Sequence, residues 1–329
     1  IYYRPHERYA TWDSRWSHRA YQPRVSVRMD VPHGDLQGLT RAEIAEPRRM
    51  RFATDGDGFR NDADYAGEPW VLLGDSFVAG NGTSQEHLLP ARLAARGVRA
   101  VNRGFPGGIT DYEQFWRSFR SRQDGARALL FLFEGNDFPE NAGRREAAPW
   151  RAAMKRRVRD ATAGFRRLPT SRVTRSLAAR VAHLGAIRGG DLVAVHRVAD
   201  RPLAFYLEYV QNTRREKLPE MTGFDAAFAR LAPDLDAVFF IPTKYRVYRP
   251  WVAPEEDLPD ASWRHLAASC REQGVTCVDL TPALRTRSES LLREGRFTWW
   301  RDDTHWNGAG IDAAAERVAE TLAALGARR

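Results

Sequence analysis

A parallel sheet covered by helices on both faces, a three-layer α/β/α sandwich, is the fold this sequence predicts, and three observations predict it. From residue 70 onward, short apolar runs alternate with helix-length stretches, the pattern of strands buried on both faces and joined by crossover helices. Three of these runs end in glycine-bearing turns that also carry polar residues, where an open α/β sheet exposes its binding edge. At 329 residues, 43% hydrophobic and with 10 Trp, the chain has enough apolar side chain for one large domain with insertions, or for two domains.

In chain order, residues 1–69 are aromatic and Arg-rich without long periodicity, and read as an N-terminal extension packed on the main domain. Within it, Arg51-Phe52-Ala53-Thr54 and Phe59-Arg60-Asn61 flank the turn Asp55-Gly56-Asp57-Gly58, a pattern that predicts a hairpin or an extended pair. Residues 70–329 form the main domain. Its predicted strands are 70–73, 98–101, 128–133, 237–241 and 275–280; its predicted helices are 84–96, 111–122, 260–273, 282–294 and 308–325. The pattern is interrupted at about 139–231. There Met154, Val158, Ala161 and Phe165, then Val173, Leu177, Val181 and Leu184, repeat at helical spacing and predict an inserted basic helical cap.

The net charge of +9 is concentrated in that insertion. Residues 143–190 carry a net +11, leaving the remainder of the chain slightly acidic. A solvated helix face is the plain account of these charges; an anionic glycan or an anionic membrane surface is the functional one. The stretch lacks interleaved aromatics and any docking motif, which argues against nucleic acid. Of the 51 basic residues only Lys155, Lys217 and Lys244 are lysines. No apolar run is long enough to span a membrane. The chain begins at Ile1 rather than Met, so a signal peptide or anchor upstream is compatible with it. Cys270 and Cys277 are close enough in sequence for a disulfide, with two buried thiols as the alternative. Neither they nor the eight scattered histidines make a metal pattern, and no cofactor motif occurs.

The chemistry-bearing residues sit at the predicted strand ends. Trp70-Val71-Leu72-Leu73 leads into Gly74-Asp75-Ser76-Phe77, which places a serine hydroxyl at the lip of the sheet. The next two strands lead into Gly104-Phe105-Pro106-Gly107 and Gly135-Asn136-Asp137, and Asp302-Asp303-Thr304-His305-Trp306 comes near the end. Any one of these could be a turn or a helix cap. A serine, a histidine and a carboxylate in one fold supply a nucleophile, a base and a group to orient the base.

In this order the four blocks resemble those of the SGNH (GDSL) hydrolases, over roughly two thirds of the chain. The resemblance implies a flavodoxin-like sandwich and a serine that attacks esters through an acyl-enzyme. It implies Ser76 as nucleophile, His305 as base and Asp302 as its carboxylate, with Asp303 as the alternate. The oxyanion donors would be the Ser76 N–H, the Gly107 N–H and the Asn136 amide, with Gly104 or Gly108 in place of Gly107 if the loop register differs. Asp303-Thr304-His305-Trp306-Asn307 and Ile241-Pro242-Thr243-Lys244-Tyr245 also look like SGNH-like proteins of polysaccharide acetylation, which place their nucleophile after the Asp-His motif.

These resemblances imply an esterase that removes O-acyl groups, acetyl first among them, from a carbohydrate or small ester. The alternatives are an O-acetyltransferase acting on an envelope polysaccharide and a non-catalytic glycan-binding domain. They also imply the bacterial periplasm or cell surface, with the cytoplasm as the other possibility. Tyr245, Tyr248, Trp251, Trp299, Trp300 and Trp306 are candidate sugar-stacking faces or core residues.

Overall fold

The computed structural model describes residues 5–13, 18–123, 125–138 and 192–327. The two basic helices expected within 154–184, and the charge concentrated at 143–190, lie outside these residues.

The N-terminal extension holds two antiparallel pairs: β1 (Ala10–Asp13) with β2 (His18–Tyr21), and β3 (Ser26–Val31) with β4 (Arg48–Ala53). This corrects the expected pairing of residues 51–54 with 59–61. The turn itself is present, with Asp55 Oδ1 accepting the Asp57 and Phe59 N–H groups. Residues 59–61 instead run to the main sheet, because Asn61 bonds both the N–H and the C=O of Asn102 and occupies that edge.

The main sheet has five parallel strands: β5 (Trp70–Leu73), β6 (Ala100–Asn102), β7 (Arg127–Phe133), β10 (Leu235–Ile241) and β11 (Thr276–Asp279). Their spatial order is β6-β5-β7-β10-β11. Counted along the sheet that is 2-1-3-4-5, the flavodoxin-like order, whose direction of winding reverses between β5 and β7. Side chains alternate strictly. Val71, Leu73, Leu130, Leu132, Val238 and Phe240 face one apolar layer, and Leu72, Leu129, Phe131, Ala237, Phe239 and Ile241 face the other. A strand buried on both faces needs apolar side chains at consecutive positions, and these runs supply them.

The first layer is built by α3 (Ile109–Arg120), α5 (Thr222–Leu231) and α7 (Ala261–Gln273). The second is built by α2 (Leu89–Ala94), α6 (Lys244–Val252), α8 (Thr281–Leu292) and α9 (Gly308–Gly326). Between α7 and β11 the chain reverses at Gly274, whose φ of 68° is left-handed. Cys270 and Cys277, one on each side of that reversal, form a disulfide across Cα atoms 6.1 Å apart.

The described end of the predicted insertion is not a helical cap. Residues 193–206 form an antiparallel hairpin, β8 (Val193–Val198) and β9 (Arg201–Tyr206), followed by α4 (Leu207–Thr213). Its two-residue turn places Ala199 and Asp200 at φ 47° and 59°. Hairpin turns of this kind normally carry glycine or asparagine, so the usual sequence signal is missing. Helix α5 then belongs to the framework, with Phe224, Phe228 and Leu231 at i, i+4 and i+7 packing it beside α3.

Gly104 lies where β6 leaves the sheet, against the backbone of the helix that carries Ser76. A Cβ there would collide with the Ala79 nitrogen and stand 2.8 Å from the Val78 carbonyl carbon. Gly104→Ala is therefore expected to cost about 1–3 kcal/mol by overpacking against backbone that cannot swing aside. Urea denaturation should show a lower midpoint at an unchanged slope.

Candidate active site

Ser76 opens α1 (Ser76–Ala79), a single helical turn directly after β5. The strand is an inner one and its neighbours wind in opposite directions, so Ser76 stands at the crevice where such sheets bind ligands. The turn is fixed at both ends. Asp75 Oδ1 accepts the Phe77 N–H at 2.8 Å, and Gly80 closes the helix in the left-handed conformation with φ 73°.

His305 comes from a tight loop between Trp299 and Trp306, two buried residues whose backbones form an antiparallel bridge. Its Nε2 is 2.8 Å from Ser76 Oγ, 229 residues away in sequence. Its Nδ1 is 2.7 Å from Asp303 Oδ1, which also accepts the His305 backbone N–H at 3.1 Å. A carboxylate can only accept at Nδ1, so that nitrogen carries the proton and Nε2 is left as a base facing the hydroxyl. Asp303 and His305 are both nearly fully buried, while Ser76 keeps part of its surface open.

The expected partner, Asp302, is corrected by this geometry. Two residues before the histidine, a side chain can fold back over the loop and reach both the backbone and the ring. Three residues before it, Asp302 points the other way. Its carboxylate accepts the Gly34 N–H at 2.6 Å and the Glu46 N–H at 2.8 Å, and meets Arg48 Nη1 at 3.3 Å. Burial raises the Asp302 carboxyl above the ordinary range, and Arg48 with the two backbone donors pulls it back.

Three neighbours were not among the expected site residues. Arg48, on β4, puts Nη2 2.8 Å from Asp303 Oδ2, donates Nε to Gly82 O at 3.0 Å and lies over the Trp300 ring. Asp35 accepts both the N–H and the hydroxyl of Thr304, at 2.8 and 2.6 Å, and sits 3.9 Å from His305 Nδ1. Lys244 is fully buried, and its ammonium donates to Ala204 O and Trp300 O, each at 2.8 Å. That joins β9 to the loop bearing Asp303. Burial lowers the Lys244 pKa to about 8. Its one sequence clue was its rarity, as one of three lysines among arginines. Asp35, Asp303 and His305 bring ligand-type atoms within 4.8 Å of one another, but each is engaged by Thr304, by Arg48 or by the adjacent ring.

The oxyanion donors can be sorted by their existing bonds. The Gly104 N–H donates to Asn102 Oδ1 and the Gly108 N–H to Asp111 Oδ2, which leaves Gly107 as the glycine with an N–H to offer. The Gly107 carbonyl is held by the Tyr112 hydroxyl at 2.8 Å, fixing the peptide plane on that side. Asn136 sits in the turn after β7, which Asp137 closes by accepting the Phe133 N–H at 2.7 Å. Among the described residues the Asn136 Oδ1 is buried without a hydrogen-bond partner; as an acceptor it calls for a donor, so it does not bear on whether the Asn136 N–H2 meets a ligand oxygen. Of the candidate sugar-stacking aromatics, Trp299, Trp306, Tyr245 and Tyr248 are core residues, and Trp300 is covered by Arg48. Trp251 is half-buried.

With this geometry in place, the comparisons can be set against it. Residues 205–328 match the family described as SGNH hydrolase-like domain, acetyltransferase AlgX. Over these residues the chain is similar to an SGNH hydrolase-like domain. The match spans Lys244, Asp303 and His305, while Ser76 and Arg48 lie upstream of it. A solved structure of a G-D-S-L family protein from Desulfitobacterium hafniense is similar at 11% identity and a TM-score of 0.36, covering 77% of this chain and 99% of that one. Another solved structure is similar at 17% identity and a TM-score of 0.38, covering 78% and 97%. No curated protein matches the chain.

The buried lysine has a measurable consequence. Its folded-state pKa of about 8 lies below the ordinary 10.5. Between those values the unfolded chain holds a proton that the folded chain has released, so the Lys244 contribution to stability rises with pH, by at most about 1.4 kcal/mol per unit. Lys244→Met should remove that rise. Denaturation midpoints measured from pH 8 to 10.5 should climb more steeply in the wild type than in the variant.

Proposed function

We propose that the protein is a serine esterase that removes O-acyl groups, acetyl first among them, from a carbohydrate or small ester. The observation that carries the reading is the continuous hydrogen-bond chain from Ser76 Oγ through His305 to Asp303, at 2.8 and 2.7 Å.

The chemistry follows from the residue types. Ser76 Oγ attacks the ester carbonyl while His305 Nε2 takes its proton, and Asp303 stabilises the imidazolium that forms. The carbonyl oxygen becomes negative and is met by the N–H groups of Ser76 and Gly107 and by the Asn136 amide. The imidazolium returns its proton to the departing alkoxide, leaving Ser76 acylated. Water, deprotonated by the same histidine, attacks the acyl carbon, and the ester bond to Ser76 breaks to release the acid.

A second reading is favoured by the family match over residues 205–328, whose description names an acetyltransferase. If a glycan hydroxyl replaces water in the second half, the same residues transfer the acyl group. A half-open Ser76 is compatible with either acceptor. The Cys270–Cys277 disulfide supports an oxidising compartment such as the periplasm or cell surface.

Hydrolysis of p-nitrophenyl acetate tests the reading, with and without candidate glycans. The wild type should release nitrophenol with an initial burst, and Ser76→Ala should abolish the burst. Acetyl recovered on added glycan would favour transfer, and a wild type no faster than Ser76→Ala would leave a binding domain. Asp303→Asn should lower kcat by about 10⁴-fold by presenting the wrong histidine tautomer. Asp302→Asn should lower it far less and show its effect first in stability. Asn136→Ala should weaken transition-state stabilisation by about 2.7–4 kcal/mol. An Asn136→Ala rate equal to the wild type would take Asn136 out of the oxyanion hole.

A further inference from the structure

Arg48 has no role in the chemistry just described, yet it is bonded directly to Asp303. Its side chain is only 6% exposed and reaches both adjacent carboxylates, at 2.8 Å to Asp303 Oδ2 and 3.3 Å to Asp302 Oδ1. The fork is held by two further acceptors, Gly82 O from Nε and Glu46 O from Nη1, and by the Trp300 ring beneath it. Asp303 thus has its two oxygens divided, one to the imidazole and one to the guanidinium.

We propose that Arg48 is a positioning residue for this site: it fixes the Asp303 carboxylate and offsets part of the negative charge that faces the His305 ring. The proposal rests on the serine-hydrolase reading above. The groups around His305 show why an offset is needed. Asp303 faces Nδ1 at 2.7 Å and Asp35 stands 3.9 Å from it. Asp302 and Glu46 lie behind them, Glu46 against Arg301. Among the described residues, Arg48 and Lys244 are buried cations on that side, and Lys244 donates to carbonyls. On the other side the ring meets Ser76 and the Phe77 ring, which carry no charge. Without Arg48 the guanidinium bonded to Asp303 would be lost, and the protonated form of the imidazole would gain.

The same contacts make the N-terminal extension part of the site. Residues 34–48 hold Asp302 from two backbone N–H groups, Thr304 from Asp35 and Asp303 from Arg48.

The direct test is an NMR titration of the His305 imidazole in the wild type and in Arg48→Gln, with the resonance assigned by its loss in His305→Asn. The pKa should rise by about one unit in Arg48→Gln. The acid limb of kcat/KM for p-nitrophenyl acetate should move with it, a shift that looser packing alone would not produce. Arg48→Lys should keep the limb close to the wild-type position while lowering kcat, because an ammonium cannot hold Asp303 and Gly82 together. If Arg48→Gln does not fold, Asp302→Asn removes one of the charges that Arg48 balances, and His305 should then titrate lower than in the wild type. A folded Arg48→Gln, or failing that a folded Asp302→Asn, in which His305 titrates where it does in the wild type would overturn the proposal. If the wild type hydrolyses no ester, the hydrolase reading fails while the titration still decides what Arg48 does.

Discussion

The 2.7 Å bond between Asp303 and the ring of His305 is the interaction on which the rest of this site depends. It selects the tautomer, and the tautomer decides whether Nε2 can accept a proton from Ser76 or only donate one. The bond exists because the loop between Trp299 and Trp306 is closed on itself. The backbones of Trp299 and Trp306 pair across its base, and Asp303 accepts from both the backbone and the ring of the residue two positions on. A loop that short has little freedom, so placing its base places the histidine.

Three separate parts of the chain hold that base. Lys244, at the start of α6, bonds the carbonyl of Trp300 and ties it to β9. Trp306 donates to the Phe77 carbonyl at 3.3 Å, and the Phe77 ring packs at 5.0 Å from the imidazole, so His305 and the helix that bears Ser76 share a wall. The segment between β3 and β4 supplies Asp35 and the two N–H groups on Asp302, and the first residue of β4 is Arg48. Most of these groups are polar and buried. Removing one partner would leave the other unpaired in a dry environment, which is what makes such a network specify one arrangement.

The sheet was legible because its signal is local. Short apolar runs, three of them followed by glycine-bearing turns, stand out against an Arg-rich background, and all five strands lie where those runs are. Ser76 was legible for the same reason, since a glycine, an aspartate and a serine after such a run describe a strand, a cap and an exposed hydroxyl. The choice between Asp302 and Asp303 was not. Both are acidic and both precede His305, and only the direction of the loop decides which faces the ring. The hairpin at 193–206 was hidden because its turn uses Ala199 and Asp200 in left-handed conformations that sequence patterns assign to glycine. Arg48 and Asp35 lie more than 250 residues from the loop they hold, and no local pattern distinguishes one buried arginine from 47 others.

The account makes one hydroxyl, beside one imidazole, the reactive atom of the whole chain. A fluorophosphonate that phosphonylates activated serines, followed by peptide mapping with mass spectrometry, examines that claim most directly. The adduct should map to Ser76 in the wild type and be lost in His305→Asn. A folded wild type that takes no label, or takes it on another residue, would contradict the account.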